Sequence, residues 1–266
     1  MKILKDNIRE EDKEYALDIL NKLRAGDRVF GSPASALKKT LKKLEENAPA
    51  KDSSDSIVYN LNNKEYEENI AKLKKGIKGE EQLGEYFEKI VRLDSKLKDM
   101  VVIASLGDED TDKDYIPDTD FLMVYGNNIL TIDAKCINTN PEIPIFVSGN
   151  GIYSAINHEE PILEVNSSVP VWNDILKREY NGYVDKIDGC TVLINKTGAE
   201  IFKDQTWVNS DIKPIHISEL VEFLHAWTSR KEPVTDLGLL VVLMKRQVWE
   251  AKSGLDLTKG RRMLNM

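Results

Sequence analysis

The chain has 266 residues, of which 41% are hydrophobic, and its formal net charge is −8 at pH 7. This length predicts one large domain, or one domain with an appendage. The net acidity excludes a generally basic nucleic-acid-binding coat.

Nothing in the sequence indicates export or membrane insertion. No apolar stretch approaches the length of a membrane span, and the charged start at Met1–Asp6 lacks the apolar core of a signal peptide. Two cysteines, Cys136 and Cys190, are too few for a disulfide framework. We therefore expect a cytoplasmic protein with no membrane partner.

The charge is unevenly distributed. Residues 1–100 hold 21 Lys and Arg against 20 Asp and Glu, whereas the remainder holds 16 against 25. Much of the acidic excess lies between Asp108 and Asp120. We interpret Asp108–Asp114 as a solvated acidic loop.

The first 56 residues predict a small helical appendage. An amphipathic pattern covers residues 8–24, and a Lys-rich helix follows Gly31–Pro33 and ends near Glu46. Residues 47–56 have the composition of a linker. Such a segment could pack on the core, pair with a second subunit in a homodimer or bind a protein partner, and the sequence leaves these alternatives open.

Residues 57–235 predict an α/β core. Their longest helical pattern covers residues 63–92, where Gly76 and Gly79 indicate either a helix break or close packing against another backbone. Since helices and strands interleave, we expect a mixed central sheet flanked by helices. Strands are predicted at 100–106, 121–125, 129–132, 145–148, 152–155, 189–195 and 213–217, further helices at 170–176 and 218–227, and a C-terminal extension over 236–266.

The strands Phe121–Tyr125 and Ile129–Ile132 predict a β-hairpin. A two-residue turn at Gly126-Asn127 would place Asp120 opposite Asp133 and Asp118 opposite Lys135, all on one face. A turn at Asn127-Asn128 would oppose Asp120 and Lys135 and keep the cluster. A three-residue loop without a bulge would flip one strand and break it. The other face carries Phe121, Met123, Leu130 and Ile132.

Carboxylates that converge at a strand end suit a hard divalent cation such as Mg²⁺. A lysine beside them can hold the attacking water or neutralise charge that develops on a phosphate. The pattern Asp-x-Lys is common in solvated surface hairpins. The 13-residue spacing from Asp120 to Asp133, across a recognisable hairpin, is much rarer and favours a functional site.

Three features together resemble a known family: Gly76-x-x-Gly79-Glu80 on the long helix, the strand that begins at Asp120, and Asp133-Ala-Lys135. They are similar to the nuclease-related domain (NERD) of the PD-(D/E)xK, or restriction-endonuclease-like, superfamily. The resemblance covers about residues 70–227 and implies a restriction-endonuclease-like core. It also implies a Mg²⁺-dependent deoxyribonuclease, in which Mn²⁺ can substitute for Mg²⁺.

The resemblance assigns a role to each matching residue. Glu80, Asp120 and Asp133 would be metal ligands and catalytic carboxylates, with the Ala134 carbonyl as a further donor. Lys135 would orient the water or stabilise developing charge. Asp133 stands where the family usually has Glu, and Glu164 stands where the family has a Gln that lines the site.

Two alternatives to a DNA-cleaving enzyme remain open. The altered Glu164 and the net acidity suit a catalytically inactive nucleic-acid-binding or assembly module on a nuclease fold. Residues 1–56 suit an interaction protein that recruits a partner through its helices.

Overall fold

The structure is a computed structural model. It describes residues 1–46, 56–107, 119–137, 144–148, 151–154, 163–164, 167–195, 201–203 and 212–247, and within these ranges the side chains of 56–63, 163–164, 195, 201–203 and 212 are not described.

The described residues form six α-helices and twelve β-strands. The helices are α1 Lys13–Ala25, α2 Ser35–Glu46, α3 Ser56–Leu93, α4 Val169–Glu179, α5 Leu220–Thr228 and α6 Leu237–Met244. The strands are β1 Lys2–Leu4, β2 Val29–Phe30, β3 Val101–Leu106, β4 Thr119–Tyr125, β5 Asn128–Ile137, β6 Ile145–Ser148, β7 Gly151–Ser154, β8 Leu163–Glu164, β9 Lys186–Asn195, β10 Ile201–Lys203, β11 Ile212–His216 and β12 Val234–Asp236.

A six-stranded sheet in the order β11-β9-β5-β4-β3-β2 forms the centre of the fold. Strand β4 is antiparallel to both of its neighbours, whereas β5, β9 and β11 run parallel to one another, as do β2 and β3. The predicted α/β class with a mixed central sheet flanked by helices is confirmed. Strands β10, β6, β7 and β8 form a separate four-stranded sheet, which contains the predicted second hairpin.

The central sheet buries apolar side chains on both faces. On one face, Phe121, Met123, Leu130 and Ile132 pack with Leu83 and Phe87 of α3. On the other face, Leu122, Val124 and Ile129 pack with residues of α1, α4 and α6. The alternation along β4 therefore follows the predicted division of the hairpin into two faces.

The long helix α3 is continuous from Ser56 to Leu93, so the glycines in it do not break it. They lie at close contacts instead. A Cβ atom on Gly76 would come within 2.8 Å of Leu37 Cδ1, and one on Gly79 within 2.9 Å of Cys136 Cβ. The predicted alternative of close packing is the one the structure adopts.

Segments before residue 57 and after residue 235 contribute strands and a helix to the same fold. Strand β2 belongs to the central sheet, and β1 pairs in parallel with β12. Helix α1 packs against α6, and both contribute to the same hydrophobic core. The residues before Glu46 and those of α6 are therefore integral to the α/β domain, while the tail from residue 248 lies outside the described residues.

No helix among the described residues is long and apolar enough to span a membrane.

Candidate active site

The turn of the central hairpin fixes which residues face each other. Tyr125 pairs with Asn128 and Phe121 pairs with Ile132, so the loop is the predicted Gly126-Asn127 turn. Gly126 has φ 60°, and a Cβ atom there would lie 2.0 Å from the Glu232 carbonyl oxygen. Glycine is required at this position because it alone fits both the left-handed backbone and the close contact. The pairing ends at Phe121 and Ile132, the residues next to Asp120 and Asp133.

Asp120 lies at the start of β4, where this strand first meets β5. Its Oδ2 atom accepts a hydrogen bond of 2.7 Å from the backbone N–H of Ala134. This contact holds the carboxylate against β5, between the positions of Asp133 and Lys135. The Ala134 backbone thus contacts the site through its N–H group.

Asp133 and Lys135 are two residues apart on β5 and so project to the same side of the strand. Lys135 Nζ lies 2.7 Å from Asp133 Oδ1, and both side chains are a little more than one quarter exposed. The predicted Asp-x-Lys pair is therefore formed, and it remains accessible to a substrate.

Glu80 is brought to this site by the approach of α3 to β5. Gly79 has no side chain, so the helix can lie against Cys136, the residue after Lys135. Glu80 follows directly and is only 6% exposed. Its negative charge acts on both Asp120 and Lys135.

The carboxylates of the cluster repel one another, and this repulsion affects the pKa of Asp120. Burial, reinforced by the charges of Glu80 and Asp133, raises the pKa of Asp120 well above its ordinary value. Burial alone would lower the pKa of Lys135, but the carboxylates of Asp133 and Asp120 outweigh it and raise that pKa. Lys135 is therefore a cation at neutral pH.

Among the described side chains, no group of three or more His, Cys, Asp or Glu residues has a metal-binding arrangement. Asp133 points to Lys135 and Asp120 to the Ala134 N–H, so the two carboxylates are engaged within the protein. Their chemistry still fits Mg²⁺, which prefers carboxylate oxygens. A bound cation would also offset the repulsion that raises the pKa of Asp120.

A scan of the chain against known families, characterised proteins and solved structures finds no match.

Asp120, Asp133 and Lys135 thus lie at one end of the central hairpin, and the charge of Glu80 on α3 acts on Asp120 and Lys135. Two other predicted positions, Asp118 and the side chain of Glu164, lie outside what the structure describes.

Sequence reasoning missed Thr191, which pairs with Asp133 in the register of β9 on β5. It is fully buried, and its hydroxyl has no hydrogen-bond partner among the described residues. Nothing marks Thr191 in the sequence, because it lies within an ordinary apolar strand.

Proposed function

We propose that this protein is a metal-dependent nuclease that hydrolyses DNA phosphodiester bonds. The observation that supports it most is the placement of Asp120, Asp133 and Lys135 at one end of the hairpin, with Glu80 supplied by α3. Three carboxylates and a lysine at one strand end are the groups that metal-assisted phosphate hydrolysis needs. The resemblance of these residues to the nuclease-related domain agrees with this proposal.

In the proposed site, Glu80, Asp120 and Asp133 would hold the metal. A bound Mg²⁺ would supply polarisation of the phosphate and a lowered pKa for the attacking water. The hydrogen bond from the Ala134 N–H would keep the Asp120 carboxylate oriented throughout. Holding these groups in place before the substrate binds lowers the entropic part of the barrier.

In the metal-free site, the carboxylates around Lys135 outweigh burial and raise its pKa, which favours a protonated lysine. A lysine that stays protonated cannot remove a proton from water. It can donate hydrogen bonds to a water molecule or to the phosphate, and its charge can stabilise the negative charge that develops on the phosphate oxygens. We therefore assign Lys135 to charge stabilisation and orientation.

We also propose a cytoplasmic location for the enzyme. Both cysteines are free thiols in the structure, and Cys190 is buried. Free thiols fit a reducing compartment.

The test is cleavage of linear, circular and single-stranded DNA with Mg²⁺, with Mn²⁺ or with EDTA. We expect cleavage that requires metal and that falls by about 100-fold or more in Lys135→Ala, the size of effect seen when one charge-stabilising donor is removed. Lys213→Ala is the matched control, because Lys213 is an exposed lysine on the edge strand β11.

Equal cleavage by wild type and Lys135→Ala would contradict the proposal. No cleavage by a folded wild-type protein under any of these conditions would favour the inactive binding module.

A further inference from the structure

Three lysines precede Glu80 on α3 at intervals of three residues. Lys72 and Lys78 are exposed and Lys75 is half-buried. Side chains three apart on a helix are neighbours, so the three form one continuous row. We call Lys72, Lys75 and Lys78 the lysine ridge.

The lysine ridge differs in its partners from most of the other lysines of α2 and α3. Four of those lysines lie within 4 Å of a glutamate: Lys38 with Glu81 at 2.7 Å, Lys42 with Glu46 at 3.9 Å, Lys64 with Glu68 at 3.9 Å and Lys74 with Glu45 at 3.7 Å. Within the part of the chain that the structure describes, no ion pair neutralises the ridge. Its charge is therefore available to an anion.

The ridge also has a defined position relative to the candidate site. At 3.6 residues per turn, Lys72 and Lys75 lie on the same side of α3 as Gly79. Gly79 is the residue that contacts Cys136, beside Lys135. A helical rise of about 1.5 Å per residue places Lys72 about 12 Å before Glu80 along the axis. The ridge thus leads along the helix to the strand end that carries Asp133 and Lys135.

We propose that the lysine ridge binds backbone phosphates of duplex DNA next to the scissile phosphate; this inference rests on the proposed nuclease function. The chain has a net charge of −8, so DNA must be attracted by a local group of cations. The ridge spans about 9 Å, and one DNA strand carries a charge about every 3.4 Å of axis, so two or three phosphates match its length.

The test measures binding of a fluorescently labelled duplex to the full chain by anisotropy, in EDTA and separately in Ca²⁺. Wild type is compared with the triple variant Lys72→Ala/Lys75→Ala/Lys78→Ala. The control is Lys89→Ala/Lys96→Ala/Lys98→Ala, which removes three exposed lysines at or beyond the other end of α3. Circular dichroism verifies that each variant is folded.

We expect the ridge variant to bind at least about tenfold more weakly than wild type near 0.1 M salt. The slope of log K against log salt should fall by about 0.9 for each phosphate that the variant no longer neutralises. The control should bind within about twofold of wild type, and Lys→Arg at the three ridge positions should restore binding, because phosphate binding requires the charge.

Equal loss of affinity in the ridge variant and the control would overturn the inference, as would a wild-type protein that binds no duplex in either buffer. Wild type that binds through the ridge but never cleaves would uphold phosphate binding by the ridge and would remove both the nuclease proposal and the placement of the ridge next to a scissile phosphate. Wild type that cleaves, with unchanged binding in the ridge variant, would remove only the inference.

Discussion

The Asp120 carboxylate accepts a hydrogen bond from the backbone N–H of Ala134, at 2.7 Å, across 14 residues of sequence. This bond joins the first residues of β4 to β5 at the point where Asp133 and Lys135 flank Ala134. The geometry of the candidate site therefore depends on a contact between β4 and β5 at the open end of the hairpin.

Replacing Asp120 should stabilise the metal-free protein and remove its stabilisation by Mg²⁺. Burial and the charges of Glu80 and Asp133 raise the pKa of Asp120 in the native state. The native state therefore loses stability as pH rises from the ordinary pKa of an aspartate through the raised pKa of Asp120. This loss of stability is present at pH 7. Asp120→Asn removes the charge and keeps an oxygen that can accept from Ala134. In EDTA we expect the free energy of unfolding to rise by on the order of 1 kcal/mol, the scale of charge interactions near a protein surface.

Added Mg²⁺ should raise the melting temperature of the wild type but not that of Asp120→Asn, since a ligand stabilises only a state that binds it. Thermal unfolding in EDTA and in Mg²⁺ measures both effects. Asp174→Asn, at an exposed position of α4, is the control. An Asp120→Asn protein that is less stable than wild type in EDTA would contradict the prediction.

Gly79 and Gly76 should respond differently to alanine. A Cβ atom on Gly79 would meet Cys136 Cβ at 2.9 Å, next to the backbone of β5, whereas one on Gly76 would meet the end of the flexible Leu37 side chain at 2.8 Å. Alanine is favoured over glycine in a helix by about 1 kcal/mol. We expect Gly76→Ala to be neutral or stabilising and Gly79→Ala to be destabilising by about 1–3 kcal/mol.

Because Glu80 follows Gly79, the Gly79→Ala protein should also lose cleavage activity by about tenfold or more, as a small displacement of a catalytic group has large effects. Denaturant unfolding and plasmid cleavage of the two variants, side by side, give the comparison. Identical behaviour of the two would show that the approach of α3 to Cys136 does not position the site.

Helix α6 should behave as part of the core. Leu240 is fully buried, whereas Leu17 of α1 is 55% exposed. Leu240→Ala should lower the free energy of unfolding by about 2–5 kcal/mol, the cost of removing a buried leucine side chain and leaving a cavity. Leu17→Ala should change it by less than about 0.5 kcal/mol. Equal effects of the two substitutions in urea unfolding would show that α6 does not stabilise the core.

Asp188 should contribute to the acid sensitivity of the fold. Burial alone would raise its pKa, but hydrogen bonds from Lys186 and Trp227 outweigh it and lower the pKa below the ordinary value. The native state therefore gains stability from the ionised Asp188 above about pH 4 and loses it as pH falls further, through the lowered pKa. The Trp227 Nε1–H donates to Asp188 at 2.9 Å.

Asp188→Asn should lower the free energy of unfolding by about 1–2 kcal/mol at pH 7, since hydrogen bonds to a charged acceptor are stronger than those to a neutral one. The difference between variant and wild type should shrink as pH falls from about 5 to about 2. Urea unfolding at several pH values tests this, and a difference independent of pH would count against the assignment.

The hairpin could be predicted from the sequence because its signals are local. The turn Gly126-Asn127 and the alternation of β4 determine one register, which ends at Phe121 and Ile132, next to Asp120 and Asp133. The position of Glu80 depends on packing that is distant in sequence, between Gly79 and Cys136. The glycines of α3 indicate such packing only as one of two alternatives, because a glycine in a helical sequence does not show which distant residue it will contact.

The contribution of β1, β2 and α6 to the fold could not be predicted for a related reason. Strand β2 has two residues and β1 has three, which is too short for any periodicity to show. Strands β1 and β2 form because each pairs through hydrogen bonds with a strand that is distant in sequence. The apolar run of α6 is visible in the sequence, but its partner, α1, lies more than 200 residues earlier.

The pairing of β1 with β12 has a consequence for how the protein is made. Residues 2–4 pair with residues 234–236, so β1 has no partner until the ribosome has added more than 200 further residues. At about 5–20 residues per second, that interval is roughly 10–50 s. During this time the inner face of α1 has no α6 to cover it. We therefore expect chaperones to bind the apolar face of α1 in the nascent chain until α6 is made.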